Sequence, residues 1–106
     1  MQNRGGGDPL QQGLRGRAGV RLYDIDPQAP THFLVIPKAH IGSCGEISPE
    51  NSAVVAHAFE VISQVTKELG ITDFRVVSNC GEQAGQSVHH LHFHVLAGRD
   101  MTWPPG

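Results

Sequence analysis

The stretch Gln86-Ser87-Val88-His89-His90-Leu91-His92-Phe93-His94-Val95-Leu96 carries four of the chain's seven histidines. His90, His92 and His94 recur at every second position, with Leu91, Phe93 and Val95 between them. A period of two is that of a β-strand, whose successive side chains face opposite sides. The stretch predicts a strand with three imidazoles along one face and Leu91, Phe93 and Val95 pressed into a core. An apolar face buried beneath aligned imidazoles marks a working surface, and the rest of the chain is read for what supports it.

Upstream of this strand, Asn79 to Gln86 is a glycine-containing loop and Phe74 to Ser78 reads as another strand. Before that, Ser48-Pro49-Glu50 has the form of a helix start: a hydroxyl at the N-cap, proline at the first helical position, an acid in the first turn. Val55, Ala58, Phe59, Ile62, Val65 and Leu69 follow at steps of three and four, one apolar stripe. Gly70 is placed to cap the C-terminus. Thr31 to Ile36 is β-branched and aromatic, a strand stopped by Pro37, and Val20 to Ile25 alternates as a short strand before the proline-containing loop Asp26–Pro30. Downstream, Ala97-Gly98 ends the histidine strand, and the chain closes on Trp103-Pro104-Pro105-Gly106. The expected fold class is α+β, an antiparallel sheet with one main helix packed on it.

Residues 1–19 hold six of the thirteen glycines and three of the eight basic residues, with few large apolar groups. They bury too little to offset their ordering entropy and read as a flexible Gly/Arg-rich tail ahead of a single domain over 20–106. The 106 residues suffice for one core. A net charge of −2 gives no electrostatic reason to expect nucleic acid or an anionic membrane as partner. No apolar run approaches the ~20 residues of a membrane span. Cys44 and Cys80 are too few for a disulfide scaffold, so reduced thiols in a cytoplasmic protein are the expectation.

Three readings fit a histidine row. Neighbouring rings could chelate zinc, but His90 and His94 would stand ~13 Å apart along a strand, and no thiolate or acid lies nearby in sequence. An exposed strand that happens to carry histidines needs no chemistry at all. Nucleophilic and general acid/base catalysis uses the row fully. Neutral imidazole attacks phosphorus to give a phosphoramidate that water can hydrolyse, and close imidazoles disfavour one another's charged forms. His92, flanked on both sides, is the candidate nucleophile. No lysine or arginine lies between Arg75 and Arg99, so the phosphate site expected beside it uses neutral donors: the N–H groups of Gly85-Gln86-Ser87 and the Ser87 hydroxyl.

The run His90-Leu91-His92-Phe93-His94-Val95-Leu96 resembles the His-x-His-x-His-x-x signature of the histidine triad (HIT) superfamily. Asp24-Ile25, Pro27 to Lys38, Asn79, Gly85-Gln86-Ser87-Val88 and the ending Trp103-Pro104-Pro105-Gly106 resemble its Hint branch, the purine nucleoside phosphoramidases. Val77 to Glu82 and His89-His90 look closer to bacterial members. The resemblance implies an AMP-type phosphoramidate, and by extension an aminoacyl adenylate, hydrolysed through a nucleotidyl-histidine intermediate without a metal or other cofactor. His92 matches the nucleophile, His94 the phosphate-contacting and proton-handling histidine, and Ser87 the hydroxyl near the leaving group. Gly85 and Gln86 match residues beside the phosphate, Asp24 and Ile25 those holding ribose and base, and Asn79 another nucleotide contact. His32 and His90 match supporting histidines. The resemblance further implies a homodimer, with the segment around Trp103 reaching toward the partner's site. Hint proteins carry an N-terminal helix and an extra strand where this chain has residues 1–19, so a HIT-like fold lacking both is expected. The alternative function is a purine nucleotide- or partner-binding module with little turnover.

Overall fold

A computed structural model describes residues 20–23 and 28–106. The expected tail at 1–19 and two of the expected nucleotide contacts, Asp24 and Ile25, lie outside the described residues. Four strands form one antiparallel sheet: β1 (Val20–Tyr23), β2 (Thr31–Pro37), β3 (Phe74–Val77) and β4 (Phe93–Ala97), in the order β1-β2-β4-β3. The α-helix among the described residues, α1 (Ser52–Glu68), lies between β2 and β3 in sequence. The α+β architecture read from the sequence is the one observed. The central pair β2–β4 is registered Thr31↔Ala97 through Val35↔Phe93, which joins strands sixty residues apart in the chain.

That register sorts the side chains. Phe33 and Val35 of β2 and Phe93 and Val95 of β4 turn to one face, where they meet Ala58, Val61, Ile62 and Val65 of α1 together with Leu91 and Ile41. Each large apolar side chain fully buried in this way contributes roughly 1.5–3 kcal/mol relative to exposure. The opposite face carries His32, Leu34 and Ile36 from β2 and His94 from β4. The helix thus covers one face of the sheet and leaves the other for the histidines.

Two boundaries and one buried face differ from the sequence reading. The histidine strand begins only at Phe93, so His90 and His92 lie in the segment leading into it. Continuing the ladder would set Leu91 opposite Pro37, which has no N–H to offer. Leu91 donates instead to the Ile41 carbonyl at 2.7 Å. The inside–outside alternation nevertheless persists, with Leu91, Phe93 and Val95 buried and His92 and His94 half-buried.

The helix starts at Ser52, not after Ser48. Asn51 takes φ −125° and ψ 2°, outside helical values. Its side chain accepts from the Ser48 N–H at 2.7 Å and donates to the Glu46 carbonyl at 3.1 Å, which holds Ser48-Pro49-Glu50 as a separate turn. The buried stripe is also rotated from the expected one: Val61 and Thr66 are inside, whereas Phe59 and Leu69 lie at its margins. Phe59 still sets its ring against Phe93, centroids 5.4 Å apart. Thr66 satisfies its buried hydroxyl by donating to the Ile62 carbonyl at 2.8 Å. Gly70 caps the helix as expected, at φ +74°, with its N–H on Lys67 and that of Ile71 on Thr66.

Candidate active site

The uncovered face of the sheet opens into a cavity of about 740 Å³, within the size range of small-molecule sites. His90, His92 and His94 line it together with Asn79, Gly85 and Ser87. Strand β2 supplies apolar wall from Leu34 and Ile36, while Val88 closes another side. Six of the expected site residues therefore converge on one space, although they come from β4, its approach and the loop after β3.

The rings stand in contact along this wall. His32 and His94 have centroids 5.2 Å apart, and His94 and His92 are 5.1 Å apart. His32 is on β2, diagonal to His94 across the ladder, a position from which long side chains reach one another. It is 6 % exposed and stands behind the cavity wall.

Hydrogen bonds fix which nitrogen of each neutral ring carries the proton. The Gln28 N–H donates to His32 Nδ1 at 2.9 Å, so that nitrogen is bare and Nε2 holds the proton. His32 Nε2 lies 2.9 Å from His94 Nδ1, which must then accept. His94 is left with its proton on Nε2. His92 has the opposite arrangement: its Nδ1 is 2.7 Å from the His90 carbonyl, which can only accept, so Nδ1 is protonated and Nε2 keeps its lone pair. His90 donates from Nε2 to the Pro37 carbonyl at 2.8 Å, which ties the approach to β4 against the end of β2. The wall therefore holds one imidazole with a bare Nε2 next to one with a protonated Nε2.

Electrostatics favour the same state. Burial holds His94 below the ordinary histidine range, and the proximity of His92 and then His32 adds to the effect. A proton added to His94 Nδ1 would also face the His32 N–H. Neutral His94 is the form that fits its surroundings.

The loop Gly81–Ser87 is shaped by Gly85, at φ +98° and ψ 11°, a conformation that disfavours a side chain. The Gln86 N–H, one of the donors expected beside a phosphate, bonds the Gly81 carbonyl at 3.0 Å, and that of Gly85 bonds Glu82 at 2.9 Å. The Gln86 side chain is engaged within the loop as well. The amide accepts from the Gly81 N–H at 2.9 Å and donates to the carbonyls of Gly42 and Val88 at 2.8 and 3.0 Å. Gln86 holds the loop against the Gly42 segment and is absent from the cavity lining. Trp103 also lies away from the lining and is 81 % exposed. Arg75 binds the neighbouring Thr102 carbonyl at 2.9 Å and so anchors the segment before it to β3. His89, adjacent in sequence to the line, turns toward Glu46, 3.8 Å away.

Two contributors were not apparent from sequence. Lys38, just beyond β2, is among the residues lining the cavity, where the sequence predicted only neutral donors. His40 sets its ring against His90 with centroids 6.0 Å apart. Spacing from the histidine run could reveal neither, because both arrive through the β2–β4 pairing. Among the described residues, no three of His, Cys, Asp and Glu are arranged to hold a metal ion, and no helix is long and apolar enough to cross a membrane.

Comparison with known proteins agrees on one family. The HIT domain profile matches residues 18–101. An uncharacterised HIT-like protein of Synechocystis sp. is 45 % identical over 88 residues, 82 % of this chain and 77 % of the relative. The crystal structure of a HIT family hydrolase from Legionella pneumophila superposes with a TM-score of 0.79 at 38 % identity, covering 84 % of this chain and 82 % of that one. A histidine triad nucleotide-binding protein from Candida albicans superposes with a TM-score of 0.68 at 29 % identity, covering 82 % and 69 % of the two chains.

Proposed function

The chain belongs to the HIT family, and on that premise we propose that it hydrolyses the P–N bond of adenosine 5′-phosphoramidates, and by extension aminoacyl adenylates, through a nucleotidyl-His92 intermediate. The observation that carries this reading is the opposed tautomers of neighbouring rings, a bare His92 Nε2 beside a protonated His94 Nε2 in one cavity. His92 Nε2 attacks phosphorus and the P–N bond breaks. The positive charge that develops on the His92 ring is stabilised by its Nδ1–H bond to the His90 carbonyl. His94 Nε2–H donates to a phosphoryl oxygen, where negative charge gathers, and Lys38 adds a cation at the rim.

The leaving nitrogen takes up a proton from solvent water on the side of the cavity lined by Ser87 and His94 and departs as an amine. Water then attacks phosphorus and releases a proton to solvent, the P–Nε2 bond breaks, and AMP leaves a neutral His92. Leu34, Ile36 and Val88 offer the apolar wall that a purine base requires, and Asn79 offers an amide to the sugar. The names of the Legionella and Candida relatives, a hydrolase and a nucleotide-binding protein, agree with this chemistry. We assign the chain to the Hint branch, on its bacterial side, from the motifs around Asn79 and His89-His90. The proposal includes a homodimer, which the exposed Phe59 and Phe74 favour and which sedimentation tests directly.

The deciding experiment incubates the protein with the AMP amide and follows AMP release. The parent turns over, His92→Ala does not, and quenching in alkaline denaturant traps AMP on the parent alone. Equal release by His92→Ala refutes the mechanism. Calorimetric binding of AMP without any turnover by the parent supports a nucleotide-binding module instead.

A further inference from the structure

The two cysteines take no part in the chemistry above, yet the fold brings them together. Cys44 opens a short 3-10 turn, Cys44–Glu46, in the connection from β2 to α1. Cys80 follows Asn79 in the loop after β3. Both thiols are free and exposed. The Cys80 sulfur lies against the turn on both sides of Cys44: it is 3.3 Å from Ser43 Oγ, and a Cβ at Gly45 would stand 3.0 Å from it. Cys44 thus sits between the two residues that the Cys80 sulfur touches.

We propose that Cys44 and Cys80 are a dithiol redox site that closes into an intramolecular disulfide by exchange with a low-molecular-weight disulfide. The turn is built to favour Cys80 as the attacking thiolate. Ser43 Oγ accepts from the Gly45 N–H at 3.3 Å, which leaves its own proton available to the sulfur. The Ser43 hydroxyl, followed by the Gly45 N–H, holds the Cys80 thiol below its ordinary range. Cys80 Sγ attacks one sulfur of the small disulfide, the S–S bond breaks, and one thiolate leaves and takes up a proton. Deprotonated Cys44 then attacks Cys80 Sγ in the mixed disulfide and displaces the second thiolate. The protein's thiols lose two protons and two electrons, and the small disulfide gains them as two thiols.

The bond would tie the connection before α1 to the loop that bears Asn79. The same connection already holds the Gly85–Ser87 loop, through the Gly42 carbonyl and the Gln86 amide. Closure therefore acts on two walls of the cavity. It does not depend on the phosphoramidase reading, so its test measures the bond and not turnover.

Full-length protein is equilibrated in buffers of graded reduced and oxidised glutathione, quenched in acid and mapped by mass spectrometry. The expected product is a monomer that has lost two hydrogens, with the Cys44 and Cys80 peptides linked. Its fraction follows the ratio of oxidised glutathione to the square of reduced glutathione. Cys44→Ser accumulates a Cys80–glutathione adduct in its place. Iodoacetamide alkylates Cys80 severalfold more slowly in Ser43→Ala than in the parent near neutral pH. Glutathione adducts on both cysteines of the parent, or disulfide-linked dimers, with no linked peptides within one chain, overturn the proposal. Equal alkylation rates in parent and Ser43→Ala overturn the assignment of Cys80 as the attacking thiol.

Discussion

Replacing His32 by phenylalanine tests whether the relay of rings sets the chemistry. The substitution keeps a flat ring at a buried position and removes both nitrogens. His94 Nδ1 then loses the N–H that now lies 2.9 Å away, and nothing dictates which His94 nitrogen carries the proton. A typical intramolecular hydrogen bond contributes about 0.5–1.5 kcal/mol net. At 1.36 kcal/mol per factor of ten, the population of His94 with its proton on Nε2 falls about two- to tenfold relative to the alternative. The kcat/KM for AMP amide should fall by the same factor, far less than the loss expected for His92→Ala. His32 is also the smallest of the three influences that depress the His94 pKa, so the acid limb of the pH–rate profile should move modestly upward. The assay is AMP release followed by chromatography across pH, combined with nitrogen NMR of the His94 ring to read its tautomer. Thermal melting confirms that the variant is folded. Unchanged kcat/KM together with an unchanged His94 tautomer refutes the relay.

Phe33, fully buried between sheet and helix, anchors the core; Phe33→Ala should cost about 3–5 kcal/mol by chemical denaturation, and a loss under 1 kcal/mol would show that the core lies elsewhere. Gly85→Ala meets only ordinary contacts, the nearest being Asn79 at 3.5 Å. Its cost should therefore come from the φ of +98°, about 1–2 kcal/mol of backbone strain, read as weaker AMP binding or a lower melting temperature. The folded-state pKa of His94 lies below its unfolded value of 6.5. The unfolded chain thus binds the proton first as pH falls, and stability is lost progressively below about 6.5 but is unaffected well above it. Urea midpoints at graded pH should show a smaller acid loss in His94→Gln than in the parent, and identical losses would place the sensitivity in other groups.

The period-two alternation identified the helix-facing and histidine-facing sides before any pairing was known, because burial on one sheet face obliges that pattern. It could not place the start of β4, since the interruption comes from Pro37, which faces Leu91 only after β2 and β4 have paired. The helix was legible as an element, but its first turn was not. The signals at Ser48-Pro49-Glu50 are satisfied locally by Asn51, whose amide bonds backward, and a sequence does not reveal which partner such an amide will choose. Val61 and Thr66 enter the core because the buried face of the helix is rotated relative to the apolar stripe in the sequence. Lys38, far from the histidine run in sequence, reaches the cavity only through a pairing between distant strands.

The same limit explains why the sequence could single out His92 as the candidate nucleophile but could not say which nitrogen of each ring carries its proton. A histidine's role depends on what faces its second nitrogen. A carbonyl opposite Nδ1 obliges a proton there, as at His92; a backbone N–H opposite Nδ1 obliges a bare nitrogen, as at His32. The first choice is made within two residues and the second within four, but the His32–His94 bond that passes the choice on spans 62 residues. His94 therefore inherits its tautomer from Gln28, a residue with no place in the histidine motif. A substitution near Gln28 that turns its N–H away from His32 should disturb the chemistry without altering any residue in the cavity wall.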